Sequence, residues 1–487
     1  MTARTESGTS TLSQSETESD RERARVKVPQ LILALSADRP LGGSHRIPLE
    51  KVSGIFIGRG SELRISELRL PDGTAALDVR VPDSRMSSEH ARLTRVLGHW
   101  VVEDANSKNG VFLNAVPQRR AALTSGDVIE LGQTFLLYAE RLVPSSKAPP
   151  PPRAASPREG VSGLATFVPT LARELESLVQ VAASKVPVVL QGETGTGKEV
   201  AARAVHALSG RSGPFIAVNC GALAANLIET ELFGYKKGAF TGAVEDRPGL
   251  IRSSGGGTLF LDEIGELSLP LQVAFLRVLE EGEVTPVGAT APVKVDLRVV
   301  AATHRELAAL VERGEFRGDL YARLSGFTVR LPPLRQRRED LGLLICTLLH
   351  RLRSKGASVS LSRDAARALF RYPWPLNVRE LEKALALALV LAPDGRIELE
   401  HLPPNVQGAA HAGSPEPRTL PSDEPEEAPA DDVPLRDSEL QRRDALIALL
   451  RTHHGNISAV AREMGLARMQ IQRWLKRYRL DAQSFRA

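Results

Sequence analysis

Pro187-Val188-Val189-Leu190-Gln191-Gly192-Glu193-Thr194-Gly195-Thr196-Gly197-Lys198 is a short apolar strand running straight into a glycine-rich loop. Helix-forming residues follow from Glu199 to Ala207, so strand, loop and helix stand in the order that a phosphate-binding loop requires. The backbone N–H groups of such a loop and the helix N-terminus face an anion, and the Lys198 ammonium reaches its outer oxygens. Downstream, Thr258-Leu259-Phe260-Leu261-Asp262-Glu263 is a second buried strand, ending in two carboxylates. Asp262 is placed to bind magnesium directly or through water, and Glu263 to polarise an attacking water. Loop and acidic pair together predict an α/β nucleotide-hydrolysing core that uses ATP and Mg2+. One residue departs from the general pattern: Glu199 stands where a Ser or Thr hydroxyl usually joins the metal, which leaves more of that task to Asp262.

Between the loop and the acidic pair lies Gly238-Ala239-Phe240-Thr241-Gly242-Ala243. A small-residue loop tipped by one phenylalanine and one threonine has no evident use in a metabolic ATPase. It suits an ATPase that pushes on another protein. The combination resembles the bacterial enhancer-binding activators of sigma-54 RNA polymerase, an AAA+ family, over roughly residues 163–406.

That resemblance implies a role for each motif. Phe240 and Thr241 would contact the sigma-54 N-terminal region. Gly192, Glu193, Thr194, Gly195, Thr196, Gly197, Lys198 and Glu199 would hold the nucleotide, and the family itself has glutamate at the place of Glu199. Asn219, after the strand Phe215 to Val218, would hold the catalytic glutamate inactive until engagement. Thr303 and His304, at the end of the buried strand Arg298 to Thr303, match the sensor position, where many relatives have asparagine for His304. Arg317 and Arg323, in Phe316-Arg317-Gly318-Asp319-Leu320-Tyr321-Ala322-Arg323, would reach the ATP of a neighbouring subunit, which implies a ring near a hexamer. A helical lid is expected at about 332–406, with Arg379 of Tyr372-Pro373-Trp374-Pro375-Leu376-Asn377-Val378-Arg379 contacting nucleotide in the same subunit. Relatives usually have glycine where Leu376 stands, so Leu376 is expected to alter the lid angle.

N-terminal to this core, Gln30 to Leu35, Ile55 to Ile57, Ala76 to Val81, Ala91 to Val96, Trp100 to Glu103, Val128 to Leu131 and Phe135 to Tyr138 read as short strands separated by turn residues. Their spacing predicts an all-β sandwich over 28–142. Gly58-Arg59, Ser87-x-x-His90 and Asn106-Ser107-Lys108-Asn109-Gly110 make it look like a forkhead-associated (FHA) domain, which recognises phosphothreonine. By that resemblance Arg59 and Ser87 hold the phosphate, Asn109 grips the ligand backbone and His90 braces the loops. Ser88 and Lys108 are the two departures from the family pattern, and both stand beside the expected phosphate. The alternative is a sandwich whose Arg59 merely braces a turn.

At the other end, Asp437 to Thr452 reads as one helix, Asn456 as the cap of a second, and Ala467 as the start of a third. Ile471, Trp474, Leu475 and Tyr478 fall inward, while Arg468, Gln470, Gln472, Arg473, Lys476 and Arg477 fall outward. This resembles a Fis-type helix-turn-helix at 435–487, whose basic and amide side chains suit base edges and phosphates of upstream promoter (enhancer) DNA.

Two Pro-rich stretches, 143–162 and 407–434, read as linkers, and residues 1–27 as a disordered tail. The 487-residue chain therefore holds three domains. Two cysteines cannot build a disulfide framework, and no long apolar run spans a bilayer, so a cytoplasmic protein without membrane contact is expected. The leading expectation is a DNA-bound, oligomeric ATPase that remodels the sigma-54 holoenzyme under control of a phosphothreonine, carried by another protein or by Thr17 of its own tail. Two rivals remain: an AAA+ machine acting on other proteins, and a non-enzymatic phosphopeptide scaffold.

Overall fold

The computed structural model describes residues 25–144, 164–222, 225–354, 356–410, 437–454 and 456–464, with 471, 474–475, 478, 480 and 482–485 beyond them. The tail before Arg25, most of both expected linkers and Thr17 lie outside the described residues. Two compact units part between Leu420 and Pro421. Among the described residues no helix is long and apolar enough to cross a membrane.

The first unit opens with a β-sandwich. Its strands are β1 (Arg25–Ser36), β2 (His45–Pro48), β3 (Gly54–Arg59), β4 (Arg64–Arg69), β5 (Ala75–Val81) and β6 (Ala91–Val96). They continue with β7 (His99–Asp104), β8 (Val111–Leu113), β9 (Val116–Gln118), β10 (Arg120–Ala122), β11 (Val128–Leu131) and β12 (Thr134–Pro144). One sheet runs β2-β1-β12-β11-β8-β9 and the other β10-β7-β6-β3-β5-β4. Leu31, Leu33, Ile55, Ile57, Leu93, Trp100, Leu136 and Tyr138 fill the space between them. Side chains alternate across a strand, so Ile32, Ala34, Phe135, Leu137 and Ala139 point the other way, into a second core. The unbroken apolar runs of β1 and β12 are thus explained: both faces of these strands are buried.

The α/β domain follows. It comprises α1 (Pro169–Ala182), β13 (Val188–Gln191), α2 (Lys198–Leu208), β14 (Phe215–Asn219), α3 (Ala225–Phe233), α4 (Gly249–Ser253), β15 (Thr258–Asp262) and α5 (Leu269–Glu281). A short hairpin, β16 (Glu283–Val284) and β17 (Val293–Lys294), precedes β18 (Arg298–Thr303), α6 (Leu307–Glu312), α7 (Gly318–Leu324) and β19 (Phe327–Arg330). The sheet order is β14-β15-β18-β13-β19, every neighbouring pair parallel. Because all five strands run the same way, their C-terminal ends share one edge, where ligands of open α/β sheets bind.

The lid is built from α8 (Leu341–Leu352), α9 (Arg363–Arg371), α10 (Asn377–Leu391) and α11 (Pro404–Ala409), with a parallel pair β20 (Ser360–Leu361) and β21 (Arg396–Ile397). It packs on the outer face of β1, β11 and β12. Phe135 stacks on Phe370 with centroids 5.5 Å apart, and Leu361 N–H donates to the Ala37 carbonyl at 2.6 Å. The buried Glu130 carboxylate accepts from Arg363 Nε at 3.1 Å and from Arg367 Nη2 at 2.7 Å. Sandwich and lid therefore share one apolar core, a packing that linker composition alone did not announce.

In the second unit, α12 (Asp437–Thr452) and α13 (Ile457–Glu463) bury Leu446, Leu450, Val460 and Ala461 with Ile471, Leu475 and Tyr478. The inward-facing residues of the expected third helix do form this core, with Trp474 packed at its edge.

At Gly342 in α8 an added Cβ would lie 1.8 Å from the Ala34 carbonyl oxygen of β1. Gly342→Ala is expected to destabilise the protein by about 1–3 kcal/mol through overpacking of this seam. Gly408→Ala in α11, with no neighbour within 4 Å, is the matched control and should leave the denaturation midpoint unchanged or slightly raised.

Candidate nucleotide site and phosphopeptide cradle

The loop between β13 and α2 turns through Gly195 (φ 79°) and Gly197 (φ 105°), left-handed conformations that favour glycine. Lys198, buried in the first turn of α2, donates from Nζ to the Gly192 carbonyl at 2.7 Å and lies 3.7 Å from Glu263 Oε1. Thr196 Oγ1 donates back to the Glu193 carbonyl at 2.8 Å, closing the loop. Glu199 is exposed and its carboxylate pairs with Arg203 Nη2 at 2.7 Å, one turn on. Glu199, expected among the nucleotide contacts, lies along the surface of α2.

Asn219, Asp262 and Thr303 all end strands at the same sheet edge, with Asn219 paired to Asp262 across β14 and β15. Burial and the neighbouring Glu263 push the Asp262 carboxyl above its ordinary range, against the opposing charges of Lys198 and Arg379. Asp262 Oδ1 is buried without a hydrogen-bond partner. An orphaned anionic oxygen beside a phosphate loop fits a divalent cation. Among the described residues no group of three His, Cys, Asp or Glu could hold a metal ion.

Glu263 adopts φ 55°, a strained conformation costing roughly 1–3 kcal/mol for a non-glycine residue. His304 holds it there: its ring Nδ1 lies 2.6 Å from Glu263 Oε2, and its backbone N–H donates to the same oxygen at 3.2 Å. The expected partner was Asn219, whose Oδ1 instead accepts from Gly221 N–H at 3.0 Å. His304 thus takes the restraining contact here, because the β18 terminus delivers both its backbone and its ring to Glu263. Thr303 is buried and ties β18 to the loop by accepting Gly192 N–H at 3.1 Å through its carbonyl.

The lid closes over the loop. Leu376 lies so near Gly195 that an added Cβ there would sit 2.3 Å from the Leu376 carbonyl oxygen. Leu376 itself has φ −99°, so its backbone does not require glycine. Val378 N–H donates to the Gly195 carbonyl at 2.9 Å, and Arg379, exposed on the first turn of α10, stands near enough to Asp262 to act on its charge. Arg317 and Arg323 are exposed on and before α7; Arg317 pairs with Asp319 at 2.6 Å and neither bonds the phosphate loop.

The loop Gly238–Ala243 stands beside the β16–β17 hairpin. Gly238 N–H donates to the Ala243 carbonyl at 2.8 Å, and positive φ at Gly238 (82°) and Gly242 (104°) closes the turn. Phe240 packs edge-on against Tyr235 at 5.0 Å yet stays 44% exposed, with Thr241 exposed beside it. The tip thus presents an aromatic ring and a hydroxyl together at the surface.

On the sandwich, Arg59 and Ser87 come together, with Arg59 N–H donating to the Ser87 carbonyl at 2.8 Å. Ser87 Oγ accepts from Lys108 N–H at 3.0 Å, and Asn109 Nδ2 donates to the Arg85 carbonyl at 2.5 Å. His90 is fully buried: Nδ1 accepts from Ser87 N–H at 3.0 Å, so Nε2 carries the proton and donates to the Gly110 carbonyl at 3.1 Å. Arg59, Ser88, Lys108 and Asn109 are exposed around this frame.

Sequence profiles of four families match in order: the FHA domain over 55–132, the sigma-54 interaction domain over 165–330, the AAA+ ATPase lid domain over 335–419, and the bacterial regulatory protein Fis family over 441–478. The transcriptional regulatory protein ZraR of Klebsiella oxytoca is 40% identical over 65% of this chain and 69% of its own length. This chain belongs to the sigma-54 activator family. The acetoin catabolism regulatory protein of Cupriavidus necator is 41% identical over 79% of this chain and 55% of its own. The chain spans about half the length of the first curated relatives it matches. A crystal structure of NtrX from Brucella abortus with ADP is 29% identical, covering 66% of this chain and 70% of that one with a TM-score of 0.47.

Within this activator fold several site residues escaped the sequence reading. Asn377 is fully buried at φ 59°; its Oδ1 accepts Leu334 N–H at 2.7 Å and its Nδ2 donates to the Thr194 carbonyl at 3.0 Å. Arg337 Nη2 donates to the Thr196 carbonyl at 2.6 Å, and Arg335 Nη1 to Glu193 Oε2 at 2.8 Å. Asn377 lies in the segment around Arg379 and Arg335 closes the run Leu331-Pro332-Pro333-Leu334-Arg335, but neither motif assigned them a contact with the loop. The expected DNA-contact residues Arg468, Gln470, Gln472, Arg473, Lys476 and Arg477 lie outside the described residues.

The Arg335 guanidinium, with Asn377 behind it, holds the Glu193 carboxyl at about 2, below its ordinary 4.5. Its folded-state value is depressed, so the stability it contributes is fully present above about pH 4.5 and lost as pH falls toward 2. Glu193→Gln should flatten that part of the acid limb in a series of denaturation midpoints against pH, without altering the limb above pH 5.

Proposed function

We propose that this protein is an ATP hydrolase that binds upstream promoter DNA, assembles into a ring near a hexamer and remodels sigma-54 RNA polymerase, under control of phosphothreonine recognition by its FHA domain. The observation that carries the reading is the pairing, in one domain, of Lys198, Asp262 and Glu263 at a single sheet edge with an exposed Phe240-Thr241 tip on a glycine-bounded loop. When bound, ATP with Mg2+ supplies the phosphoanhydride whose cleavage drives the cycle. Gly192 to Lys198 hold the phosphates through backbone N–H groups and the Lys198 ammonium, and Asp262 holds the cation.

Glu263 orients water and receives its proton once His304 lets it turn. Thr303 and Arg379 fix the position of the loop and the nucleotide. Arg317, just before α7, and Arg323, on it, complete the site of a neighbouring subunit, where charge of this kind is worth about 10³–10⁵ in rate. Phe240 and Thr241 bear on the sigma-54 N-terminal region. Arg468, Gln470, Gln472, Arg473, Lys476 and Arg477 grip DNA, and Arg59, Ser87, Ser88, Lys108 and Asn109 receive the phosphothreonine of a partner protein or of the chain's own tail.

Glu263→Gln should lower ATP turnover at least ~100-fold while ATP binding persists. Phe240→Ala should keep turnover and lose sigma-54-dependent open complexes in a purified transcription system. Open complexes formed by Phe240→Ala at the wild-type level would remove sigma-54 as the target. Arg59→Ala should weaken a phosphothreonine peptide ~10-fold or more by the loss of a charge-assisted contact, measured by fluorescence anisotropy.

A further inference from the structure

Where the sandwich docks on the lid, the seam leaves an open polar cleft of about 370 Å³. Arg85, Asn109 and Gln133 line it from the sandwich, and Ser360, Arg363 and Arg396 from the lid. Asn109 joins this cleft to the phosphothreonine cradle. Its neighbour Lys108 bonds Ser87 of the cradle through the backbone, while its own amide bonds the Arg85 carbonyl at the mouth of the cleft. A peptide held along Asn109 therefore has the seam as its continuation.

The donors of the cleft suit an anion. Three guanidiniums line it with one carboxylate, Asp38, and two of them, Arg363 and Arg396, also pair outside the lining with Glu130 and Glu398, which leaves Arg85 as the cation with no carboxylate partner among the described residues. Arg85 is exposed and its guanidinium bonds none of the described residues. Arg363 gives Nε to Glu130 and lays its guanidinium over the Phe112 ring at 4.0 Å, with Nη2 buried and without a hydrogen-bond partner. Arg396 gives Nε to Glu398 at 2.6 Å and keeps most of its side chain exposed. Guanidiniums with free N–H groups are suited to paired bonds with carboxylate or phosphate oxygens.

We infer that the seam is an anion subsite shared by the FHA domain and the ATPase lid, taking a carboxylate or a second phosphate carried by the peptide whose phosphothreonine the cradle holds. The inference rests on the phosphothreonine reading of the cradle. It adds that ligand selectivity is read partly by the lid, so a peptide with a flanking anion grips both bodies while one without it grips only the sandwich. Whatever tightens the peptide through the lid must in turn favour the lid position that the peptide fits, by thermodynamic reciprocity.

The test uses the full chain. Phosphothreonine peptides with randomised flanks are selected on it, and the preferred sequence is resynthesised with Glu, phosphoserine or Ala at the selected flank. Anisotropy titrations should show the Glu or phosphoserine peptide binding ~5–10-fold tighter than the Ala peptide, as expected for one charge-assisted pair. A gain confined to one of the two identifies the anion as carboxylate or phosphate. Arg396→Glu, and separately Ser360→Glu, should erase the gain and leave the Ala-flanked peptide and basal ATP turnover unchanged. Absence of any anionic preference, or a preference that survives both lid variants while Arg59→Ala abolishes binding, overturns the shared subsite alone. Failure of every phosphothreonine peptide to bind wild-type protein overturns the cradle reading beneath it.

Discussion

Four consecutive side chains, Arg337, Arg338, Glu339 and Asp340, hold the first unit of this protein together. Arg337 donates to the Thr196 carbonyl of the phosphate loop. Arg338 donates to Gly126 of the sandwich at 3.1 Å and to Phe370 of the lid at 2.8 Å. Glu339, buried, accepts from Arg141 at the end of β12. Asp340 accepts Phe167 N–H at 2.6 Å and the Thr166 hydroxyl at 2.7 Å, just before α1. Burial pushes its carboxyl up to about 6 against the opposing Arg337. A buried carboxylate that loses its hydrogen-bond donors keeps the desolvation penalty of its charge, about 1–3 kcal/mol or more. The segment therefore has little freedom to rearrange at one contact while keeping the others.

A consequence is that sandwich, lid and phosphate loop cannot be treated as beads on a string. The lid touches the loop through Asn377, Val378 and Leu376, and it touches the sandwich through Phe370, Leu361 and Gly342. Any displacement of the lid must either carry the sandwich with it or break an apolar core that both share. Close-packed interfaces of this kind respond by switching between discrete arrangements rather than by bending smoothly. The FHA sandwich is thus attached to the lid, the part of the ATPase that lies over its phosphate loop.

Strain is placed at one position of the candidate site. Glu263 carries a left-handed backbone and is restrained by His304 on one side and Lys198 on the other. Both restraints are polar contacts at the sheet edge, and Lys198 is itself a phosphate-loop residue. A group held in this way can be released by rearranging side chains, without disturbing the buried strands β15 and β18 behind it.

Much of this was legible in the sequence, because local chemistry fixes it. A strand of Val and Leu followed by Gly192 to Lys198 and a helix has the order of a phosphate-binding loop, and an apolar run ending in Asp262-Glu263 places two carboxylates at a sheet edge. The Fis-type core of Ile471, Leu475 and Tyr478 followed from helical periodicity, and the cradle of Arg59, Ser87 and His90 from loop motifs. What depended on distant chain segments was not legible. The doubled apolar faces of β1 and β12 signalled burial on both sides without naming what covered them. Periodicity could not assign Asn377 to the phosphate loop, Glu130 to Arg363 and Arg367, or His304 rather than Asn219 to Glu263. Each of those contacts joins groups 40 to more than 200 residues apart in sequence, and only the packing of whole elements brings such groups within hydrogen-bonding distance.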